Sequence, residues 1–143
     1  MKAVSKSLEE TREIAGEMLA ALSVGESAAV VALSGDLGAG KTAFSQAVGE
    51  ILGVADTMQS PTFVIMKIYE LEEQKWQRLV HIDAYRLEKE SELLHLGWGE
   101  LIADPQNLIL IEWPERVAGI IPATAKRIDF TFVSEGVREI SYE

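Results

Sequence analysis

Eight consecutive residues, Gly35 to Thr42, have the types and spacing needed to hold a phosphate group. They read G-D-L-G-A-G-K-T and complete the pattern G-x-x-x-x-G-K-[ST]. Glycines let backbone N–H groups turn inward around an anion, the lysine brings a positive charge to the β- and γ-phosphates, and the threonine hydroxyl can complete the shell of a bridging Mg²⁺. The pattern predicts a nucleotide site formed by Gly35, Asp36, Leu37, Gly38, Ala39, Gly40, Lys41 and Thr42. A glycine-rich turn that matches by accident is the alternative.

The segments on either side of the loop favour the nucleotide site. Ala28 to Leu33 (AAVVAL) is a short apolar run rich in β-branched residues, which is typical of a strand buried on both faces. From Lys41, apolar residues recur at steps of three and four until Gly53, which predicts a helix. A loop between a strand and a helix lets the positive end of the helix dipole face a bound phosphate.

Two acidic residues follow other apolar runs. Asp83 ends the run L-V-H-I, and Glu112 ends the run L-I-L-I. Ligands of α/β sheets bind at the carboxyl ends of the strands, and Mg²⁺ prefers oxygen ligands. Either acid can therefore take the metal-binding Walker B role, and the spacing of apolar residues does not choose between them. For each, an acid that only faces solvent or caps the next helix is the alternative.

His81 precedes Asp83 by two residues and so lies on the same side of the predicted strand, as in some zinc sites. Zinc needs a third and a fourth ligand, but the chain has no cysteine and only one other histidine, His95. The sequence therefore disfavours a zinc site. His95, with leucines on both sides, is expected to be a packed or surface residue.

The remaining patterns predict a layered α/β fold. Ser7 and Glu10 form a capping box for a first helix, so the predicted opening order is helix, strand, loop and helix. The other predicted elements are an antiparallel hairpin (63–71 and 76–82), a helix (88–97), the strand before Glu112, and a terminal hairpin (127–133 and 137–142). We predict one domain, residues 1–143, with a three-layer P-loop NTPase fold and a mixed, partly parallel central sheet.

Composition narrows the class of protein. The chain has 23 acidic and 13 basic residues and a formal net charge of −10, which argues against a protein that binds nucleic acid directly. The absence of cysteine excludes disulfides and iron–sulfur clusters. No apolar run approaches the roughly 20 residues of a membrane span, so we expect a soluble, cytoplasmic protein with no membrane partner.

The segment S-P-T-F, Ser60 to Phe63, has two interpretations. It is short enough to be only a turn into a strand. Its distance from the loop also resembles a switch segment, in which the Thr62 hydroxyl or the main chain senses the γ-phosphate and its metal. Position alone does not decide between them.

Taken together, four stretches resemble the TsaE family, also called YjeE, the small bacterial P-loop ATPases needed for threonylcarbamoyl modification of adenosine in tRNA. The stretches are G-D-L-G-A-G-K-T at Gly35, S-P-T-F at Ser60, H-I-D-A-Y-R at His81 and I-E-W-P-E at Ile111. They occur in the order found in the family and span most of the chain. The segment E-E-T at Glu9 also fits, and the segment around Glu9 and Thr11 is a candidate edge of the adenine pocket.

The resemblance implies ATP and Mg²⁺ as cofactors and roles for individual residues. Lys41 and Thr42 would hold the phosphates and Mg²⁺, and Glu112 would assist the metal through water. Thr62 would act as a switch residue and Asp83 as an essential acid, so the implied catalytic residues are Lys41, Thr62, Asp83 and Glu112. Trp113 belongs to the family motif, although a packing role fits it equally well.

The resemblance also implies that the protein does not itself transfer the threonylcarbamoyl group. It would bind the complex of TsaB and TsaD homologues, with tRNA contacted through these partners, and its ATP hydrolysis would support their repeated turnover. Our own hypothesis is that the chain alone hydrolyses ATP weakly and that a partner completes the site. Arg86 is the best internal candidate for an additional charge on the γ-phosphate, or it only pairs with a neighbouring acid. A small-molecule kinase and a nucleotide-dependent binding module are the alternative functions.

Overall fold

The computed structural model describes residues 2–36, 39–54 and 65–142. Within these ranges the strands are β1 (Lys2–Ser5), β2 (Ala29–Gly35), β3 (Met66–Glu70), β4 (Arg78–Asp83), β5 (Asn107–Glu112), β6 (Lys126–Ser134) and β7 (Val137–Tyr142). The helices are α1 (Leu8–Ala21), α2 (Lys41–Ile51), α3 (Glu90–His95), α4 (Trp98–Ala103) and a 3₁₀ segment (Pro114–Ile120).

The strands form one mixed sheet in the order β1-β7-β6-β2-β5-β4-β3. Its centre is parallel, because β2 pairs with both β5 and β6, and β4 pairs with β5, in the parallel sense. β3 pairs with β4, and β7 pairs with both β6 and β1, in the antiparallel sense. All six residues of β5 are buried, as expected of a strand covered on both sides. The predicted mixed, partly parallel sheet and both predicted hairpins are confirmed, although residues 63 and 64, the predicted start of the first hairpin, lie outside the described residues.

Alternating side chains of the central strands enter two separate cores. Val31 and Leu33 of β2 pack with α1 and α2, on what we call the α1/α2 face. Val30 and Ala32 point the other way and share a core with residues of α3, α4 and the 3₁₀ segment. Since successive side chains of a strand point to opposite faces, an unbroken apolar run fills both cores. The predicted three-layer architecture is confirmed.

The order of elements differs from the prediction at three places. A short strand, β1, precedes the first helix, so the predicted opening order is wrong. Its four residues carry little signal of their own and are ordered by pairing with β7, where Ser5 lies opposite Arg138. The helix α4 and the 3₁₀ segment were also not predicted. Each is about two turns long or less, too short for apolar periodicity to reveal.

The first helix begins where its cap predicted. The Ser7 hydroxyl accepts a hydrogen bond from the Glu10 N–H at 3.1 Å, and the Glu10 carboxylate accepts one from the Lys6 N–H at 2.5 Å. At 14 residues, α1 is the longest helix in the described ranges. No helix in those ranges is long and apolar enough to cross a membrane.

Candidate functional site

The P-loop lies at the carboxyl edge of the sheet, between the end of β2 and the start of α2. Gly35, the last residue of β2, has φ 148°, and a Cβ there would lie 2.5 Å from the carbonyl oxygen of Phe130. Gly40, the N-cap of α2, has φ 107° and leaves the first turn of the helix without a side-chain cap. Only glycine suits both positions. Leu37 and Gly38 lie outside the described residues.

Lys41 is the first residue of α2 and is buried, with 5% of its surface exposed. Its ammonium donates hydrogen bonds to the carbonyl oxygens of Gly35 and Asp36. Burial lowers the pKa of Lys41 below its usual value, and this outweighs the opposing effect of nearby carboxylates. Those carboxylates belong to Glu112, Glu115, Asp83 and Asp36. The charge of Lys41 is thus held beside the loop backbone, within the field of four acids.

The two candidate acids lie side by side. Asp83 and Glu112 are the last residues of β4 and β5, and they are register partners across the two parallel strands. Glu112 is buried, whereas Asp83 is half-buried and accepts a hydrogen bond from the Tyr85 N–H at 3.0 Å. The structure therefore brings together both strand-end acids and Lys41. Which of the two acids is closer to a metal stays a prediction.

Glu112 has a buried partner that sequence reasoning missed. His81 Nε2 lies 2.6 Å from Glu112 Oε2, and both side chains are almost fully buried. His81 Nδ1 is buried and has no hydrogen-bond partner among the described residues, so Glu112 is the polar group that orients the ring. Alternation along the strand places His81 and Asp83 on one face, which the sequence shows, whereas the register that sets Asp83 opposite Glu112 required the structure. The partner of His81 is thus a carboxylate of the neighbouring strand, β5.

Trp113 contacts Lys41 directly. It follows β5 in a left-handed conformation, φ 60° and ψ 50°, which is uncommon for a bulky residue and marks a locally strained backbone. The Lys41 Nζ lies 3.8 Å from the centroid of the Trp113 ring, a cation–π contact. The ring also packs beside Tyr85, with centroids 5.0 Å apart, and against the core opposite the α1/α2 face. Trp113 thus packs against the core and also contacts the P-loop lysine, and a role in the site stays a prediction.

The other predicted residues are spread over several elements. Thr42 is half-buried in the first turn of α2. Thr11 is buried, and its hydroxyl lies 2.7 Å from that of Ser5, so it joins α1 to β1. Glu9 is exposed and lines a groove between α1 and α2, and the adenine pocket there stays a prediction. Arg86 and His95 are exposed. Thr62 and the rest of S-P-T-F lie outside the described residues.

Comparison with known proteins agrees with this geometry. The family model for threonylcarbamoyl adenosine biosynthesis protein TsaE matches residues 5–140. The chain is 32% identical over 144 residues to the tRNA threonylcarbamoyladenosine biosynthesis protein TsaE of Treponema pallidum (strain Nichols), covering 99% of this chain and 98% of that protein. It is 37% identical over 134 residues to the protein of the same name from Bacillus subtilis (strain 168), covering 94% and 79%. A crystal structure of Bacillus subtilis YdiB matches with a TM-score of 0.76 at 29% identity, covering 99% of this chain and 83% of that chain. These matches confirm the resemblance found in the sequence motifs, and the chain belongs to the TsaE family.

Proposed function

We propose that this protein is a Mg²⁺-dependent ATPase of low intrinsic rate that serves a TsaB–TsaD complex in the formation of N6-threonylcarbamoyladenosine in tRNA. One observation carries the proposal. The P-loop lysine, Lys41, lies at the strand edge where Asp83 and Glu112 are register partners. A phosphate-binding loop beside paired carboxylates is the arrangement that a metal–triphosphate needs.

The residues of the loop fit a triphosphate. The first turn of α2 has no side-chain cap, so its N–H groups can bind an anion. The Lys41 ammonium contacts only loop carbonyls and the Trp113 ring among its described partners, and phosphate oxygens would give it stronger, charge-assisted hydrogen bonds. Phosphate oxygens would therefore compensate the loss of water around the buried ammonium, which lowers the pKa of Lys41.

The acids fit a cation that arrives with the nucleotide. No group of three His, Asp or Glu side chains in the described ranges could hold a metal ion alone. Mg²⁺ usually keeps several waters and binds through one or two carboxylates together with phosphate oxygens. In this proposal Thr42 and Glu112 supply the protein's share of ligands, with Glu112 acting through water.

Catalysis in this proposal rests on positioned charge. Bound Mg²⁺ would neutralise charge on the phosphates. Lys41 stabilises charge that develops on the β- and γ-phosphates, and the His81 hydrogen bond holds the Glu112 carboxylate in one orientation. Asp83 contributes a second acid at the same edge. Thr62 as a switch residue remains part of the proposal, on sequence grounds alone.

Two parts of the proposal, the low intrinsic rate of ATP hydrolysis and the role of partners, rest on the distribution of charged residues. A missing cationic finger can be worth about 10³ to 10⁵ in the rate of phosphoryl transfer. Arg86, the internal candidate, is exposed on the segment after β4, so we propose that a partner completes the site. The net charge of −10 makes the chain a poor binder of tRNA phosphates, which assigns tRNA contact to the partners.

The test is ATP hydrolysis by the full chain with Mg²⁺ or with a chelator, alone and with a purified TsaB–TsaD complex. We expect Mg²⁺-dependent release of phosphate that rises with the complex. Lys41→Ala should lower the rate of ATP hydrolysis about 10²-fold or more. Lys67→Ala, at an exposed lysine of β3, should hydrolyse ATP at the wild-type rate. Equal rates with and without the complex would contradict completion by a partner. An active Lys41→Ala variant would contradict the proposed site.

A further inference from the structure

An arginine that sequence reasoning did not consider lies against the P-loop. Arg138 is the second residue of β7. A Cβ built on Gly40 would lie 2.6 Å from Arg138 Cδ and still closer to Nη1. The arginine side chain therefore rests on the Cα of the residue that begins the first turn of α2. Bound phosphate lies at this same turn in a P-loop.

The hairpin places Arg138 there. Arg138 is two residues from Ile140, whose side chain is buried with α1 and α2, so it lies on the α1/α2 face. It pairs with Phe132 near the end of β6, and β6 runs parallel to β2 beside Gly35. The start of β7 is thus at the same edge of the sheet as the P-loop. The position follows from the antiparallel return of the chain.

The guanidinium has no hydrogen bond or ion pair within the part of the chain that the structure describes. Arg138 is half-buried, so part of its side chain is removed from water, and its guanidinium carries five N–H donors. Two other arginines have acidic partners, with Arg12 3.2 Å from Glu50 and Arg78 2.5 Å from Asp104. A partly desolvated guanidinium gains most from an anion that it can bind with two parallel hydrogen bonds.

We infer that Arg138 binds the α- and β-phosphates of the nucleotide, an inference that rests on the nucleotide binding proposed above. The metal and the γ-phosphate belong beside Asp83 and Glu112, which lie on β4 and β5. Arg138 lies on the other side of β2, next to β6. The α- and β-phosphates, which are nearer the nucleoside, therefore remain for Arg138 to bind. ADP and ATP share these groups, so Arg138 holds both equally.

Isothermal titration of ADP and of ATP into the full chain tests this inference. Arg138→Ala should weaken both nucleotides by about tenfold, because it removes charge-assisted hydrogen bonds. Arg138→Gln keeps much of the packing and should show the same loss. Arg138→Lys should recover part of the affinity, since an ammonium cannot reproduce the guanidinium fork. Arg127→Ala is the matched control. Arg127 is an exposed arginine of β6, and it pairs with Ala32 on the sheet face opposite the α1/α2 face.

The outcomes separate this inference from the proposed function. If the wild type binds nucleotide and Arg138→Ala and Arg138→Gln bind equally tightly, the inference on Arg138 is wrong and the proposed function stands. A loss confined to ATP would place Arg138 at the γ-phosphate and overturn it. An equal loss in Arg127→Ala would reduce the effect to net charge and also overturn it. A wild type that binds neither nucleotide at millimolar concentration would overturn both.

Discussion

The two sides of the P-loop differ in charge and in construction. On one side, β5 and β4 end in Glu112 and Asp83, two register-paired acids. On the other, β6 and β7 bring in Arg138, which contacts Gly40. We call these the acid side and the arginine side. A triphosphate with its cation needs oxygen ligands at one end and positive charge along the rest, so a loop between unlike neighbours can orient its ligand.

The difference arises from strand direction. Parallel strands deliver the residues at their carboxyl ends to one edge of a sheet, which is why the acid side consists of strand-end residues. Arg138 is near the start of its strand, and it reaches this edge because β7 returns antiparallel to β6. A mixed sheet can therefore supply side chains to one site from both ends of its strands.

The largest expected effect is on the stability of the acid side. His81→Ala leaves the Glu112 carboxylate buried without its 2.6 Å partner and should cost about 3 kcal/mol in the free energy of unfolding. His95, the other histidine of the chain, is exposed, so His95→Ala should change the free energy of unfolding very little. Denaturant unfolding of both variants measures the contrast. Equal costs would mean that the buried pair does not hold this side together.

Next is the charge of the acid itself. Glu112→Gln keeps the shape and can still accept a hydrogen bond from His81, but it removes the anionic ligand, and Mg²⁺-dependent ATP hydrolysis should fall about 10²-fold. Glu100→Gln, exposed on α4, is the control. Phosphate release at saturating ATP gives the ratio of rates. Hydrolysis that survives in Glu112→Gln would move the metal-binding role to Asp83.

The arginine side can be disturbed from the loop. Gly40→Ala places a methyl group where the Arg138 side chain now lies, at a φ of 107° that alanine adopts with strain, and should weaken ADP binding about tenfold. Because both substitutions would remove the same contact, Gly40→Ala combined with Arg138→Ala should lose little more than the weaker-binding single variant. Dissociation constants for the four proteins form the cycle. Losses that simply add would show that Gly40 and Arg138 act independently.

The smallest expected effect concerns the charge of Lys41, the P-loop lysine between the acid side and the arginine side. Burial lowers the pKa of Lys41 from 10.5, so below that lowered pKa the charged lysine destabilises the folded state. Lys41→Met should therefore raise the free energy of unfolding by on the order of 1 kcal/mol at pH 7. Above the lowered pKa and up to 10.5 the folded wild type loses its proton first, so its stability rises and the advantage of the variant shrinks.

Urea unfolding at pH 7 and near pH 10 measures this advantage. Lys67→Met, at an exposed position of β3, should show little change at either pH. If Lys41→Met is no more stable than the wild type at pH 7, the neighbouring acids fully compensate the buried charge of Lys41. The charged lysine between the two sides then does not destabilise the folded state.

The P-loop, the buried central strands and both hairpins could be predicted because their signals are local. The strand β2 follows from one apolar run, and α1 begins at its capping serine, Ser7. Asp83 and Glu112 were recognised as site candidates because each ends an apolar run. Their mutual register and the contact of Trp113 with Lys41 required the structure, since a run of apolar residues does not say which strand lies beside it.

The sequence by itself determined the chemistry available to this protein: a glycine loop, one lysine, two strand-end acids and the motifs of the TsaE family. The tertiary structure alone decided which groups meet. His81 is hydrogen-bonded to Glu112, β1 pairs with β7, and Arg138 contacts Gly40, which is almost a hundred residues away in the sequence. The physical reason is that local patterns set burial and conformation, whereas pairing between distant strands depends on the packing of the whole sheet.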